Sequence, residues 1–345
     1  MKDIASRANV SVGTVSRVLN RHEDVDVDLR ERVETAARKL GYRLSARTRS
    51  VVQTKAGIIG LILFNDFGLS PAQALLLLGV EEYCSSAGYY LLFVRHRYAP
   101  AAPAASLDLP PVMQTPGLAD CIIMAGTIHE NTLATFERHG LNYVALANHT
   151  MDVPKGSARQ HFVEYDDLTG CYEATCYLGQ LGHKDIWYIG DASRPWHRNR
   201  FRGYSRAIAE MGLDPHIHTI ALSDDEFENG QAAVVHILEQ GWPITAILAG
   251  SDELAYGARE GLRQHRREVP KDVSLVGFEN ERGRARGSNL TSVSVDMAEV
   301  GRQLARAAIA QIERREKAGP TVVVPTQLVK RSTCRPIRKE DQMML

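Results

Sequence analysis

Near its start the chain carries apolar residues at helical spacing. Val15 is followed three and four residues later by Val18 and Leu19, a spacing that places them on one face of a helix. Residues that suit a tight turn and a helix cap lie just before this segment. The pattern predicts three short helices, with Asn9 in the first turn and Ser11 as the cap of the second helix: Ile4–Ala8, Val12–Leu19 and a third from the Asp26 cap to Lys39.

From Ala56 onward the pattern changes, because short apolar runs alternate with longer stretches of helical periodicity. The apolar runs predict strands over 57–64, 89–94, 119–125, 143–147, 185–190, 244–249 and 273–278. The stretches between them predict helices over 71–87, 131–139, 168–181, 202–211, 230–240 and 253–264. Strands that alternate with helices form parallel sheets, and two such units in series form a two-lobed α/β domain. Its cleft at the carboxyl ends of the strands is where small ligands bind.

Composition narrows the class of protein. The chain has 345 residues, of which 44% are hydrophobic and 24% charged, so it can form two or three domains with real cores and is not disordered or fibrous. Its five cysteines contain no CxxC spacing, which favours a reducing compartment over a disulfide framework. The longest leucine run is far shorter than a membrane span. We therefore expect a soluble cytoplasmic protein without a membrane partner.

The distribution of charge points to a polyanionic partner. Basic and acidic residues are equal in number, 41 each, but residues 1–55 hold 12 basic and 7 acidic residues. The basic excess coincides with the helical head, whose second helix also presents Gly13, Ser16 and Arg17 on its polar face. A helix, a short turn and a polar second helix can place a recognition helix in the major groove of double-stranded DNA. An ordinary three-helix bundle with a solvated arginine is the alternative that spacing leaves open.

The segment KDIASRANVSVGTVSRVLN, followed by ERVETAARKLGYR, resembles the DNA-binding head of the LacI/GalR family of transcriptional regulators. The resemblance implies that three residues read bases and three support phosphate contacts: Val12, Gly13 and Arg17, and Ser11, Thr14 and Ser16. Arg17 suits base reading because a guanidinium can donate two hydrogen bonds to guanine. Gly13 departs from the longer polar side chains often found at its position, so it allows close approach but provides little readout.

Residues 43–55 form a polar, basic stretch without apolar periodicity. The family resemblance implies a hinge that becomes helical on DNA and inserts an apolar side chain into the minor groove. Val51 is the matching residue here, and we expect Arg47 and Arg49 to contact phosphates or groove walls. Leu44 and Ser45 stand where the family usually has proline and asparagine. A plain solvated linker is the alternative.

Later segments resemble the regulatory domain of the same family, which has the periplasmic-binding-protein fold: HFVEYDDLTGCYEATCYLGQLGHKDIWYIG, SDELAYGAREGL, VPKDVSLVGFENE, NLTSVSVDMAEVGRQLARAAIAQI and PTQLVKRST. The resemblance implies an α/β chain with a helix-turn-helix head at 1–42, a hinge at 43–55, a two-lobed domain at 56–333 and a tail at 334–345. The first lobe is expected at about 57–162 and 294–319, and the second at about 163–293 and 320–333. The resemblance does not extend over residues 95–117, where prolines discourage a regular helix.

The same resemblance implies an effector site in the cleft. Six residues match positions that hold or surround the effector: Arg200 and Asp252 most directly, Arg194 and Trp196 in the loop after the strand that ends at Gly190, Asn148 where aspartate is usual, and Asp225 where an aromatic ring often stacks. An arginine, a carboxylate and an indole face are common means of binding a polyol or an anion. We therefore expect a sugar-like or other small polar effector. Each residue could instead form a surface salt bridge or part of a core.

The sequence gives little support to the hypothesis that the protein is an enzyme. It contains no GxSxG, HExxH or P-loop motif, and no GxGxxG after a strand. His216 and His218 alternate on a predicted strand with no further ligand nearby in sequence, which favours a surface feature over a metal site. We expect a homodimeric repressor that binds a near-palindromic operator, with no enzymatic activity, cofactor or metal. Its rivals are a binding protein that has lost regulation and an α/β enzyme.

Overall fold

The computed structural model describes residues 1–19, 25–40, 56–64, 69–99, 103–104, 107, 109–110, 113, 115, 117–150, 161–219, 223, 225–280, 289–314 and 321–337. The chain divides into two compact units, residues 1–58 with 111–120 and residues 59–110 with 121–345. The predicted hinge residues Arg47, Arg49 and Val51, part of the segment 95–117, and residues 338–345 lie outside the described part of the chain.

The head contains the three predicted helices: α1 (Lys2–Ala8), α2 (Val12–Leu19) and α3 (Val27–Lys39). Asn9 adopts a left-handed conformation with φ of 52°, so the chain turns sharply between α1 and α2. The Ser11 hydroxyl accepts a hydrogen bond from the Thr14 amide at 3.0 Å, and Asp26 caps α3 in the same way. One small core joins the three helices: Ile4, Ala5, Ala8, Val15, Val18, Val33, Ala36 and Ala37.

The second unit contains two six-stranded sheets. Its strands are β1 (Ile58–Phe64, starting at the unit boundary), β2 (Tyr90–His96), β3 (Cys121–Gly126), β4 (Tyr143–Leu146), β5 (His161–Tyr165), β6 (Ile186–Ile189), β7 (His216–His218), β8 (Ala246–Ala249), β9 (Ser274–Glu279), β10 (Thr291–Val295), β11 (Val322–Val324) and β12 (Thr326–Val329). The first sheet has the order β11-β5-β4-β3-β1-β2 and the second β12-β10-β9-β8-β6-β7. Strand β12 runs antiparallel to β10, whereas β10, β9, β8, β6 and β7 pair in parallel.

Helices cover the sheets in closely packed pairs. They are α4 (Pro71–Ser86), α5 (Glu130–Arg138), α6 (Asp167–Gln180), α7 (Pro195–Glu210), α8 (Glu226–Glu239), α9 (Asp252–Gln264) and α10 (Met297–Arg314). Glycines allow the backbones of α4 and α10 to touch, because a Cβ at Gly79 would overlap the carbonyl of Ala298 and one at Gly301 would overlap the carbonyl of Leu76. No helix among the described residues is both long enough and apolar enough to cross a membrane.

Within the described chain, the two lobes are joined after β5, after β10 and between β11 and β12. The connections are the single residues Asp166, Asp296 and Pro325. Each follows the carboxyl end of a strand that pairs in parallel with at least one neighbour: β5 with β4, β10 with β9 and β11 with β5. The carboxyl edges of both sheets therefore meet at the junction, and the loops that follow the strands line the cleft.

The lobe boundaries differ from the sequence prediction by a few residues. Strand β5 remains in the first sheet to Tyr165 rather than ending at 162, and β10 belongs to the second sheet as far as Val295. The assignment of all of 320–333 to the second lobe was wrong, because β11 pairs with β5 in the first sheet. The passage occurs at Pro325, which lacks an amide hydrogen for a ladder and separates β11 from β12.

Two helices begin earlier than predicted. Helix α7 begins at Pro195 rather than Arg202, since proline has a suitable φ and needs no hydrogen-bond partner at a first helical position. Helix α8 begins at Glu226 rather than Gly230, because the Asp225 carboxylate accepts bonds from the amides of Phe227 and Glu228. The placement of Trp196 in a loop was therefore wrong, and this residue lies in the first turn of α7.

Candidate DNA-binding face and effector site

Helix α2 has one buried face and one open face. Val15 and Val18 are buried in the head core, whereas Val12, Gly13 and Arg17 are exposed. The remaining predicted contact residues are exposed in the case of Ser11 and half-buried in the cases of Thr14 and Ser16. Arg17 lies four residues after Gly13, so the exposed guanidinium and the position without a side chain are on the same side of a short helix that follows a tight turn. This arrangement can enter a major groove with its amino-terminal residues first.

Arg200 is the centre of a buried polar network in the second lobe. It lies on the buried face of α7 together with His197 and Tyr204. These residues are three before and four after Arg200, a spacing that places them on one face of a helix. Its guanidinium is completely buried. The hydrogen bonds of that group go to four protein acceptors: the Asp167 carboxylate at 2.8 Å, the Glu279 carboxylate at 3.1 Å, the Tyr165 hydroxyl at 3.3 Å and the carbonyl oxygen of Gly250. The ring of Phe278 lies 4.0 Å from the guanidinium carbon.

Asn148 connects this network to the first lobe. It lies in the 3₁₀ turn that follows β4, and its side-chain amide donates to Asp167 at 2.7 Å and to the carbonyl of Tyr165 at 2.8 Å. Its amide oxygen accepts from the Tyr165 backbone N–H at 2.9 Å. Burial raises the pKa of the Asp167 carboxyl, whereas the bonds from Arg200 and Asn148 lower it. Asp167 is the first residue of α6, so this carboxylate lies at the passage between the lobes.

Glu279 is the member of the network that reaches solvent. It is the last residue of β9, and its side chain is 26% exposed. Its backbone adopts φ of 98°, a conformation that costs a side-chain-bearing residue on the order of 1–3 kcal/mol and is most common at functional sites. Glu279, Asp167 and Tyr165 were not predicted as site residues from the sequence. Glu279 follows the predicted strand 273–278 and Asp167 precedes the predicted helix 168–181, and those positions were the available signal. Tyr165 ends β5, a strand that was not among those predicted.

A second buried group lies beside the first. His197 Nε2 is 3.1 Å from Glu226 Oε1, and the Ser251 hydroxyl donates to the other oxygen of the same carboxylate. Burial raises the pKa of Glu226, but the bonds and charge from His197 outweigh it and hold the pKa at about 2. The carboxylate thus lies between the serine and the imidazole, so the imidazole is not placed as a base for the hydroxyl. Among the described residues, no three possible ligands are grouped to hold a metal ion.

The structure separates Asp252 and Asp225 from the Arg200 network. Asp252 is buried and accepts a hydrogen bond from the Ser292 hydroxyl at 2.6 Å, and it packs against Gly277. Asp225 is exposed and caps α8. The carboxylates that bond Arg200 come from the helix after β5 and from the end of β9, and the expectation that Arg200 and Asp252 face one effector stays a prediction.

Arg194 and Trp196 lie together at the amino end of α7. The Arg194 guanidinium is 5.7 Å from the indole ring centre and 3.4 Å from the Asp191 carboxylate. Both side chains are half-buried. The start of α7, which follows β6, therefore presents a cation near an aromatic face at the carboxyl edge of the second sheet, where the cleft lies.

The first lobe presents rings at its own carboxyl edge. The Tyr98 hydroxyl lies 2.9 Å from both the backbone nitrogen and Nδ1 of His129, which follows β3. Phe64, the last residue of β1, contacts Tyr98 edge to face at 5.7 Å. Burial raises the pKa of Tyr98. Ring-bearing residues thus lie at the carboxyl edges of both sheets, Tyr98 and Phe64 in the first lobe and Trp196 in the second.

Comparison with known proteins supports this architecture. The model for bacterial regulatory proteins of the lacI family matches residues 1–45, and the periplasmic binding protein-like domain matches residues 175–334. The HTH-type transcriptional repressor PurR of Actinobacillus pleuropneumoniae serotype 3 (strain JL03) is 30% identical over 281 residues, covering 81% of each chain. The repressor CytR of Escherichia coli (strain K12) is 28% identical over 340 residues, covering 97% of this chain and 96% of the relative.

Solved structures show the same fold. The lac repressor dimer bound to operator and the anti-inducer ONPF has a TM-score of 0.77 at 20% identity, covering 96% of this chain and 98% of that one. The CelR–cellobiose complex has a TM-score of 0.68 at 23% identity with the same coverage. The helical head, the two crossed-over sheets and the level of identity to PurR agree with one another. The chain belongs to the LacI family of bacterial transcriptional regulators, which are DNA-binding proteins and not enzymes.

Proposed function

We propose that the protein is an effector-responsive repressor that binds a near-palindromic operator as a homodimer in the cytoplasm. The exposed face of α2 carries this proposal for DNA, with Arg17 at a base edge and Ser11, Thr14 and Ser16 toward phosphates. Val12 and Gly13 lie against the groove. Arg47, Arg49 and the wedge residue Val51 complete the contact from the hinge at 43–55. The names of the relatives CytR and PurR support repression as the mode of action.

The effector we propose is an uncharged or cationic hydrogen-bond donor, sugar-like in its hydroxyl groups, rather than an anion. The Arg200 guanidinium is enclosed by protein acceptors, so it has little to offer an anionic group. The group that faces solvent is the Glu279 carboxylate, which accepts hydrogen bonds. The CelR–cellobiose neighbour supports a carbohydrate. The partly exposed Glu279 carboxylate beside a sealed Arg200 is the observation that carries the proposal.

The six predicted effector residues take different roles in this proposal. Trp196 and Arg194 contact the effector from the second lobe, and Arg200 and Asn148 position Glu279 and the lobe junction. Asp252 and Asp225 act through the elements they hold, Asp252 by its bond to β10 and Asp225 by capping α8. An effector that prefers one lobe arrangement then shifts operator affinity by its differential binding.

An exposed apolar strip on the first lobe supports the homodimer. Leu75 and Leu78 lie one helical turn apart on α4 and are 49% and 61% exposed, and Leu69 just before the helix is 45% exposed. Tyr90, at the start of the edge strand β2, is 70% exposed. Large apolar side chains gathered at one surface are typical of interfaces. A second copy of the chain is the occupant that a twofold operator requires.

The test uses a thermal-shift panel of ribose, cellobiose and other neutral and anionic sugars, followed by gel shifts on genomic fragments. We expect a neutral compound to stabilise the protein and to change its affinity for one fragment. Glu279→Gln should weaken that compound's binding by about 10- to 150-fold, since a hydrogen bond to a charged group contributes about 1.5–3 kcal/mol. Effector-free DNA affinity should remain unchanged.

The matched control is Glu260→Gln, which changes an exposed ion pair with Arg263 on α9 and should leave the response intact. If the Glu279→Gln variant binds the compound as tightly as the Glu260→Gln control does, the assignment of Glu279 to the effector site is contradicted. A sugar phosphate that binds while neutral sugars do not would contradict the proposed effector class. Failure to retard any genomic fragment would contradict the repressor and favour a binding protein without regulation.

A further inference from the structure

The free edge of the second sheet carries a cluster of rings that the proposed function does not use. Strand β7, only three residues long, forms this edge and pairs with β6 alone in the described sheet. Trp187 of β6 is stacked between His216 at 5.1 Å and Trp242 at 5.5 Å. The ring of His236 on α8 lies 5.6 Å from that of Trp242 and also contacts His218. We call these five residues the histidine–tryptophan cluster: Trp187, His216, His218, His236 and Trp242.

His218 and His236 are the pair on which the inference rests. Their ring centres are 5.1 Å apart in an edge-to-face arrangement. His218 is 9% exposed, and within the described part of the chain its Nδ1 is buried without a hydrogen-bond partner. Two neutral imidazoles pack well in this way, whereas two imidazolium ions at the same distance repel each other, and a charge on the buried His218 ring would lack the hydration that stabilises it.

Within the described part of the chain, the acidic group that pairs with this strand faces His216 and not His218. Asp185, just before β6, lies 3.8 Å from His216 Nε2, two residues before His218. Trp187 and Trp242 face the cluster from β6 and from the segment after α8, and both are uncharged. Burial and the charge of His236 lower the pKa of His218.

The chain beyond β7 leads directly to the candidate effector site. It passes from His218 to Asp225, which caps α8, and then to Glu226, which bonds His197 and Ser251. His236 lies on the same helix. Release of β7 would therefore remove the contact between His218 and His236 of α8, whereas the strands β6, β8 and β9 remain paired with one another.

We propose that the histidine–tryptophan cluster is an acid-sensitive latch: protonation of His218 beside His236 releases β7 from the sheet edge and loosens the amino end of α8. The latch gives the regulator a proton input that is separate from its effector. It requires neither effector nor operator, so its test does not depend on the proposed function.

The experiment measures hydrogen exchange of the full-length protein between pH 8 and pH 5, with rates corrected for the intrinsic pH dependence of amide exchange. Opening that takes up one proton should become about tenfold more favourable for each pH unit below about 6.5, the ordinary pKa of histidine. The increase should be confined to peptides that cover 213–229. Tryptophan emission in a Trp196→Phe background should report the same transition, since Trp187 and Trp242 are then the remaining indoles.

Two substitutions keep the test decisive. His236 is half-buried on α8, and His236→Gln should reduce the pH slope of opening because the neighbouring imidazole no longer disfavours the proton on His218. His218→Gln should abolish the slope. His139→Gln removes an exposed histidine in the first lobe and should change nothing. An opening constant of β7 that does not vary with pH, or that varies identically in the wild type and both cluster variants, would overturn the proposal.

Discussion

Replacing Asp167 by asparagine should strongly destabilise the regulatory domain although the shape of the side chain is retained. Arg200 is completely buried and bonds Asp167 through Nε at 2.8 Å, so the substitution removes one of the two carboxylates that balance a buried cation. Breaking a buried ion pair by changing one partner costs about 3–5 kcal/mol. We expect a loss of this size in the free energy of unfolding.

The environment of Asp167 also prevents an easy rearrangement. Asn148 donates to the second Asp167 oxygen at 2.7 Å, and the orientation of its amide is fixed by two bonds with the backbone of Tyr165. An asparagine at position 167 that keeps its oxygen toward Arg200 would turn its own NH₂ toward that of Asn148. Two donors would then face each other in a buried site, which leaves both unsatisfied.

The assay is equilibrium urea unfolding, with Asp166→Asn as the matched control. Asp166 is the adjacent residue and caps α6 by accepting a bond from the Thr169 amide at 2.9 Å, and asparagine caps a helix as well as aspartate does. The control should change stability by no more than about 0.5 kcal/mol. A double-mutant cycle with Arg200→Met should also show strong coupling. Equal effects of the two asparagine variants, or additive effects in the cycle, would refute the reasoning.

Three further predictions test other parts of the molecule. Arg17→Ala should cost about 1–3 kcal/mol on the operator and flatten the preference among mutated sites in gel shifts, whereas an equal loss on random DNA would mean that Arg17 contacts phosphate. Gly79→Ala should lower stability in thermal unfolding by about 1–3 kcal/mol because its Cβ overlaps the carbonyl of Ala298, and an unchanged melting temperature would show that the α4–α10 contact can relax. Burial lowers the pKa of His183 to about 4, so the unfolded chain binds the proton first as pH falls. The resulting contribution to the free energy of unfolding, about 3 kcal/mol, is complete above pH 6.5 and is lost as pH falls toward 4. His183→Gln should remove this part of the pH dependence in urea titrations, and an unaltered pH dependence would contradict the prediction.

The sequence alone determined the alternation of strands and helices and the type of most elements, although the predicted ranges did not include β5, β10, β11, β12 or α10. Local signals are strong where a cap, a turn or a sustained apolar run sets the conformation within a few residues, as at Ser11 and Asp26 in the head. The alternation of strands and helices was sufficient for two parallel sheets, because a parallel strand needs a crossover. Helix starts were less predictable, since the cap at Asp225 and the proline at 195 outweighed the weak periodicity of the first turns.

Only the tertiary structure decided which side chains meet. Arg200 was predicted to lie in the site, but its partners Asp167 and Glu279 are 33 and 79 residues away and come from the ends of different strands. Asp252, the predicted partner, is turned toward Ser292. The histidine pair likewise became visible only when α8 brought His236 against His218. The periodicity of a sequence indicates which face of one element is buried. Which acceptor reaches a buried donor depends on the register and crossing of separate elements. Register and crossing are set by packing across the whole domain, which no local pattern encodes.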